Sequence, residues 1–149
     1  MVKIKLTFER GGELIGELNP KLAPHTVKSL IEVLPFDSVM VHTRWCGREF
    51  SCGFATKSLP PKENYTHIAS KFDLMYWRDW DSEEVLPEAP SREGLCIYYG
   101  AEIMNYHGGV LIANVIGHID YAQEALMEEI GVRIWQHGVE KVTITMAEA

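Results

Sequence analysis

Five residues of one short stretch have side chains suited to chemistry: His42, Arg44, Cys46, Glu49 and Ser51. They fall in residues 38–54, SVMVHTRWCGREFSCGF, which read as a β-hairpin. The first arm is rich in Val, Thr and Trp, the second carries two Phe, and Gly47-Arg48 suits a two-residue turn with Gly first. In that register Val39, Val41, Thr43 and Trp45, opposite Phe50, Cys52 and Phe54, are expected against a core. Met40, His42, Arg44 and Cys46, opposite Glu49, Ser51 and Gly53, then form a compact polar outer face. A one-residue slip would exchange the two faces.

His42 and Arg44, two apart on one strand, lie about 7 Å apart on that face. A guanidinium offers paired donors matched to planar oxygens, and an imidazole adds charge as pH falls toward about 6.5. Arg44 and His42 are therefore the candidate catalytic pair, with Glu49, Cys46 and Ser51 as ligand contacts for an anion, carboxylate or polarised carbonyl. The competing reading is an Arg44–Glu49 surface pair of little energetic consequence. Cys46 and His42 stand roughly 13 Å apart on an extended strand, too far for a nucleophile–base contact. No C-x-x-C or H-x-x-x-H spacing links His42, Cys46, His107 or His118, so no metal is expected, and no cofactor.

The elements that would hold this face follow from periodicity. Residues 2–8 alternate Val2, Ile4, Leu6, Phe8 against Lys3, Lys5, Thr7, a half-buried strand that returns at 13–18 after the turn at 9–12. Pro24 opens and Pro35 closes a helix with Val27, Leu30, Ile31 and Leu34 on one stripe. After the hairpin come a loop at 55–64, a short strand at 65–69 and a better one at 74–77. Residues 79–93, acidic and holding Pro87 and Pro90, read as an exposed loop or flap. The continuously apolar LCIYY at 95–99 predicts a strand buried on both sides. A loop at 100–109 and a strand at 110–119 follow, in which Gly117 marks a bulge or a close backbone approach. Asp120 caps a second helix over 121–130, with Ala122, Ala125, Leu126 and Ile130 inward and Gly131 just past its end. Residues 133–138 connect to a closing strand at 140–146.

The 149 residues make one domain spanning 1–149, 46% apolar and 23% charged, a globular composition. A net charge of −7 argues against a nucleic-acid or basic membrane-binding surface, so neither partner is expected. The chain holds no apolar run of membrane-spanning length, and it leads from Met1 straight into a strand. With three cysteines, Cys46, Cys52 and Cys96, making no disulfide framework, a cytoplasmic location is expected.

Many short strands with one early and one late helix point to a mainly β fold, a barrel or sandwich capped by helices. The order of elements resembles a small cyclophilin. LAPHTVKSLIEVL at 22–34 resembles the first cyclophilin helix, VHTRW at 41–45 the strand bearing Phe-His-Arg, and 114–148 the Val-Phe-Gly strand, second helix and closing strand. LPFDSVMVHTRWCGREF and ANVIGHI are similar to small bacterial and archaeal cyclophilin-like proteins of unknown function. The resemblance implies a closed antiparallel barrel of about eight strands with two capping helices. It places the family's catalytic Arg, which polarises a prolyl amide, on Arg44, and a substrate-binding Phe on Cys96, Ile97 or Tyr98. The family's groove His falls on Ala113, leaving His107 as a displaced candidate. The Gln that follows the family Arg and the groove Trp have no counterpart.

The expected function is binding of, or chemistry on, a small anionic or amide-containing ligand in an outer groove beside Arg44, with Tyr98 and His107 as further contacts. Prolyl isomerisation of a peptide comes second, and a non-catalytic interaction subunit third. Exposed aromatics such as Trp80 and Trp135 would support a homo-oligomer about a two-fold axis.

Overall fold

Strict alternation in the first strand buries Ile4, Leu6 and Phe8 on one side, and the rest of the chain wraps that row into a closed surface. The computed structural model describes residues 1–80, 92–106 and 109–148. In chain order the elements are β1 (Val2–Phe8), β2 (Glu13–Leu18), α1 (Pro24–Glu32), β3 (Phe36–His42), β4 (Glu49–Gly53), β5 (Tyr65–Thr66) and β6 (Ile68–Ala69). They continue with β7 (Asp73–Arg78), β8 (Glu93–Tyr98), β9 (Glu102–Ile103), β10 (Asn105–Tyr106), β11 (Gly109–Val110), β12 (Ala113–Ile119), α2 (Glu124–His137) and β13 (Glu140–Met146). Short 3-10 turns precede β4 at Arg44–Cys46 and α2 at Tyr121–Gln123.

The strands run β2-β1-β13-β3-β4-β8-β7-β12, and β12 pairs back onto β2, closing an eight-stranded antiparallel barrel. Closure removes free sheet edges from the ring. Gly117 makes it feasible. The ladder of β12 against β7 shifts between Val115 and Gly117, and a side chain at 117 would lie 2.0 Å from the Glu17 carbonyl oxygen. The expected bulge and the expected close approach are thus one feature.

Both helices lay apolar stripes into the barrel core, α1 with Val27 and Leu30, α2 with Met127, Ile130 and Ile134. Pro24 sits at the start of α1 as its fixed φ favours. The cap comes from far along the chain: Glu63 Oε1 accepts from Thr26 N at 2.7 Å and from Thr26 Oγ1 at 2.8 Å. The second helix runs past its expected end. Gly131 lies mid-helix because its bare face receives the Tyr99 ring, which a Cβ would meet at 2.6 Å. The helix ends instead at Gly138, with φ of +87°. Ala122 and Ala125, expected inward, are exposed, since the preceding 3-10 turn rotates the buried stripe to Met127, Ile130 and Ile134. Residues 133–137, expected as a connection, anchor the helix: Arg133 Nε donates to buried Glu140 at 2.9 Å, and the Arg10 amide donates to the same carboxylate at 2.9 Å.

Two further expectations change. Glu93, assigned to the acidic loop, begins β8 and is buried, accepting from Thr56 N at 2.9 Å and from the hydroxyls of Thr56 and Tyr76 at 2.5 Å. Most of that loop lies outside the described residues. Trp80 is half-buried, its Nε1 donating to Ile112 O at 2.8 Å, while Trp135 is exposed. No helix among the described residues is long and apolar enough to cross a membrane.

The closure makes a direct prediction. Gly117→Ala should lower unfolding free energy by more than about 2 kcal/mol in urea melts, because β2 and β12 must part to admit the methyl. An unchanged midpoint would contradict the closure geometry.

Candidate functional site

The central hairpin forms in a different register from the one its turn residues suggest. His42 pairs with Phe50, Val41 with Ser51 and Met40 with Cys52, and the 3-10 turn at Arg44–Cys46 fills the connection. Cys46 N donates to Thr43 O at 2.9 Å, and Gly47, with φ of +88°, brings the chain round to β4. The shift reverses the faces of the first arm and keeps those of the second. Met40 is fully buried inside the barrel, and His42 follows on the same side. Val39, Val41 and Trp45, expected in the core, are exposed. On β4, Phe50 and Cys52 point in while Glu49, Ser51 and Gly53 point out, as the alternation implies.

The expected polar cluster is thereby divided in two. His42 lies at the barrel mouth beneath α2, with Nε2 2.5 Å from the Tyr99 hydroxyl and its ring 6.4 Å from Trp135. Burial and the Arg44 charge hold its pKa below the usual range, so the imidazole is neutral near pH 7. Its Nδ1 is buried without a partner among the described residues. Arg44 has left the strand. It donates to the Trp135 carbonyl at 2.7 Å and stacks over that indole at 5.9 Å, satisfying a carbonyl in the last turn of α2. The outer groove expected beside Arg44 is therefore not lined by it, and the alternative pair with Glu49 does not form either.

Glu49, Cys46, Ser51 and Tyr98 belong to the opposite, outer side. Glu49 pairs across strands with Tyr98, and Ser51 with Cys96. A second apolar cluster, which includes Met75, Tyr98, Met104 and Leu111, covers this part of the sheet. The cover is made of small pairs, β6 on β9 and β10 on β11. Beneath it Glu49 is 2% exposed. The described groups acting on its carboxyl are hydroxyls, not cations, and burial pushes its pKa up to about 7, offset only in part by Thr43 and Tyr98. The Tyr98 hydroxyl, buried on the same side, acts on this carboxyl and on the Cys46 thiol. Cys46 Sγ donates to Asn105 O at 2.9 Å, and burial together with Glu49 raises this thiol to about 11, so it is no nucleophile. Thr43 Oγ1 and Ser51 Oγ share a hydrogen bond of 2.8 Å. His107 lies outside the described residues, and no cluster of metal-ligating side chains occurs among those described.

Chemically, the outer set offers a carboxyl that exchanges its proton near neutrality beside a buried phenol. Buried carboxyls of this kind are suited to general acid–base work. Alternation along β4 identifies Glu49 and Ser51 as neighbours. Nothing local shows that the outer face of β4 is roofed, which is what tunes the carboxyl.

The raised pKa carries a sign. A carboxyl that protonates more readily in the folded state supports the fold below about pH 4.5, its unfolded value, and that support is lost as pH rises through about 7. Glu49→Gln should therefore gain on wild type by on the order of 3 kcal/mol between pH 4.5 and 8 in urea melts, from the size of the shift. A difference between the two proteins that does not change with pH would refute the buried, cation-free state of Glu49.

Among the solved structures this chain resembles are two of the same fold. McbB in complex with tryptophan superposes with a TM-score of 0.72 at 16% identity, over 98% of this chain and 45% of McbB. The chain thus spans less than half the length of that protein. A solution structure of the hypothetical protein AF2241 from Archaeoglobus fulgidus superposes with a TM-score of 0.59 at 20% identity, over 98% of this chain and 95% of the other. At these identities the likeness is one of fold. No curated protein sequence matches. Residues 6–146 match the family described as Protein of unknown function (DUF3830), and the chain belongs to that family.

Proposed function

We propose that the protein binds a small organic ligand on the outer face of β4 and β8 and that Glu49 exchanges a proton with it. The observation that carries this reading is the buried carboxyl of Glu49, on which hydroxyls but no cation act among the described residues, beside the buried Tyr98 phenol. An apolar pair at these cross-strand positions would avoid the desolvation cost, so a fold under no other constraint has no use for the carboxyl. A carboxyl with a pKa near neutrality holds an ammonium as its carboxylate or hydrogen-bonds an amide carbonyl as its acid, its proton passing to or from solvent as the ligand binds. The ligand is accordingly an amine or amide rather than the anion expected beside Arg44. McbB was solved with tryptophan, which carries an α-ammonium and, one methylene further on, a flat indole, chemistry that such a site would accept.

The prolyl isomerase reading has no observation in its favour. The guanidinium that would polarise a prolyl amide is bonded to the Trp135 carbonyl, away from the outer face.

Thermal-shift titration with tryptamine at pH 8 tests the proposal. Tryptamine should raise the melting temperature of wild type and of Arg44→Ala, and Glu49→Gln should abolish the shift. Loss of the shift in Arg44→Ala, or its persistence in Glu49→Gln, would place the ligand elsewhere.

A further inference from the structure

Three neighbouring strands set Thr43, Glu49 and Tyr98 in one row on the outer wall. Glu49 pairs with Tyr98 of β8, and the Thr43 amide, just beyond the end of β3, donates to the Glu49 carbonyl at 2.9 Å. The next outward row holds Val41, Ser51 and Cys96. The cover over the wall ends within that second row. Cys96 is 6% exposed, Ser51 is partly exposed and Val41 is 36% exposed. The first row lies under the cover, with Thr43, Glu49 and Tyr98 all buried.

A carboxyl so enclosed meets little water itself, yet to titrate it must pass its proton to something. Among the described groups in contact with it, one leads outward. The Tyr98 phenol is fully buried, and burial raises its pKa so that it keeps its proton. The Cys46 thiol is buried, raised to about 11 and committed to the Asn105 carbonyl. Burial raises the Cys96 thiol in the same way. Thr43 differs, because its Oγ1 lies 2.8 Å from Oγ of Ser51, which stands at the rim of the cover. Either oxygen can donate in that bond, so it can run in both directions. The same Thr43 hydroxyl acts on the Glu49 carboxyl and favours its ionised form.

From this arrangement we infer that the Ser51 and Thr43 hydroxyls form a proton relay between the protein surface and the buried Glu49 carboxyl, with Ser51 as the end that water or a ligand reaches. When Glu49 gives its proton to Thr43 Oγ1, the Thr43 proton passes to Ser51 Oγ and the Ser51 proton to a base outside. One O–H bond breaks and one forms at each hydroxyl, which both end neutral, and uptake runs the same steps backwards. The inference deepens the reading of Glu49 given above and rests on it for what is bound. The relay itself operates without a ligand and is tested without one.

The experiment is NMR of the full chain labelled at its Glu carboxyl carbons, followed through the Glu49 midpoint of about 7. Wild type should show one Glu49 signal that moves continuously with pH, the mark of fast proton exchange. Ser51→Ala and Thr43→Val should each slow exchange at least about tenfold, a barrier higher by about 1.4 kcal/mol, and so broaden or split the signal. Thr43→Ser should restore it. Thr43→Val should also raise the midpoint, whereas Ser51→Ala should leave it in place, since Ser51 does not act on the carboxyl. A merely structural hydroxyl would move the midpoint or the melting temperature and not the exchange rate. Ser51 is partly exposed and tolerates alanine, so the test does not depend on how well Thr43→Val folds. Exchange as fast in Ser51→Ala as in wild type overturns the relay. Slowed exchange together with tryptamine binding that ignores Glu49→Gln would keep the relay and remove the ligand reading. Glu49-dependent tryptamine binding with unslowed exchange in both variants would do the reverse.

Discussion

The structure depends on one contact that admits no side chain. Where β12 returns to β2, the backbone at Gly117 lies against the Glu17 carbonyl, and only the absence of a Cβ lets the eighth strand close the ring. Closure has consequences on both sides of the sheet. The interior becomes a sealed apolar volume filled from every strand and from both helices. The outside of β4, β7 and β8 becomes a continuous surface that the connections between strands can roof over. A closed barrel with a second, smaller core on its outer wall is therefore two environments built from the alternate residues of the same strands.

The polar residues divide according to that architecture. Those that hold the fold are paired. Glu140 is gripped by Arg133 and Arg10, Glu63 caps α1, and Glu93 accepts three hydrogen bonds at the start of β8. Arg44 belongs to this group, since it satisfies a carbonyl in the last turn of α2. Glu49 does not: among the described residues only the Thr43 and Tyr98 hydroxyls act on its carboxyl, and no cation does. A buried carboxyl without a cation carries a desolvation cost that the paired ones do not, so Glu49 stands apart from the residues that hold the fold.

Much of the fold was legible because it is written in short-range periodicity. The strands at 2–8, 13–18 and 140–146 follow from strict alternation, and α1 follows from its apolar stripe between two prolines. The buried apolar run before Tyr99 and the irregularity at Gly117 were readable for the same reason. The candidate site was half legible. Alternation along β4 places Glu49 and Ser51 on one face whatever pairs with them, because successive side chains in a strand must alternate.

What the sequence by itself determined is therefore most of the ring strands, a barrel-or-sandwich class implied by their order, and the outward direction of Glu49, Ser51 and Gly53, whereas 100–109, expected as a loop, holds β9 and β10. What only the tertiary structure decided is register and cover. A Gly-first dipeptide favours a tight turn, but burying Met40 and seating His42 beneath α2 selects the longer connection, and an odd shift of register reverses every side chain of the first arm. Gly131 likewise reads as a helix end until the Tyr99 ring, distant in sequence, takes up the space beside it. The tuning of Glu49 arises from described segments such as Ala69, Met104 and Leu111 folding across the outer wall, since desolvation is set by what packs over a group and not by its neighbours along the chain.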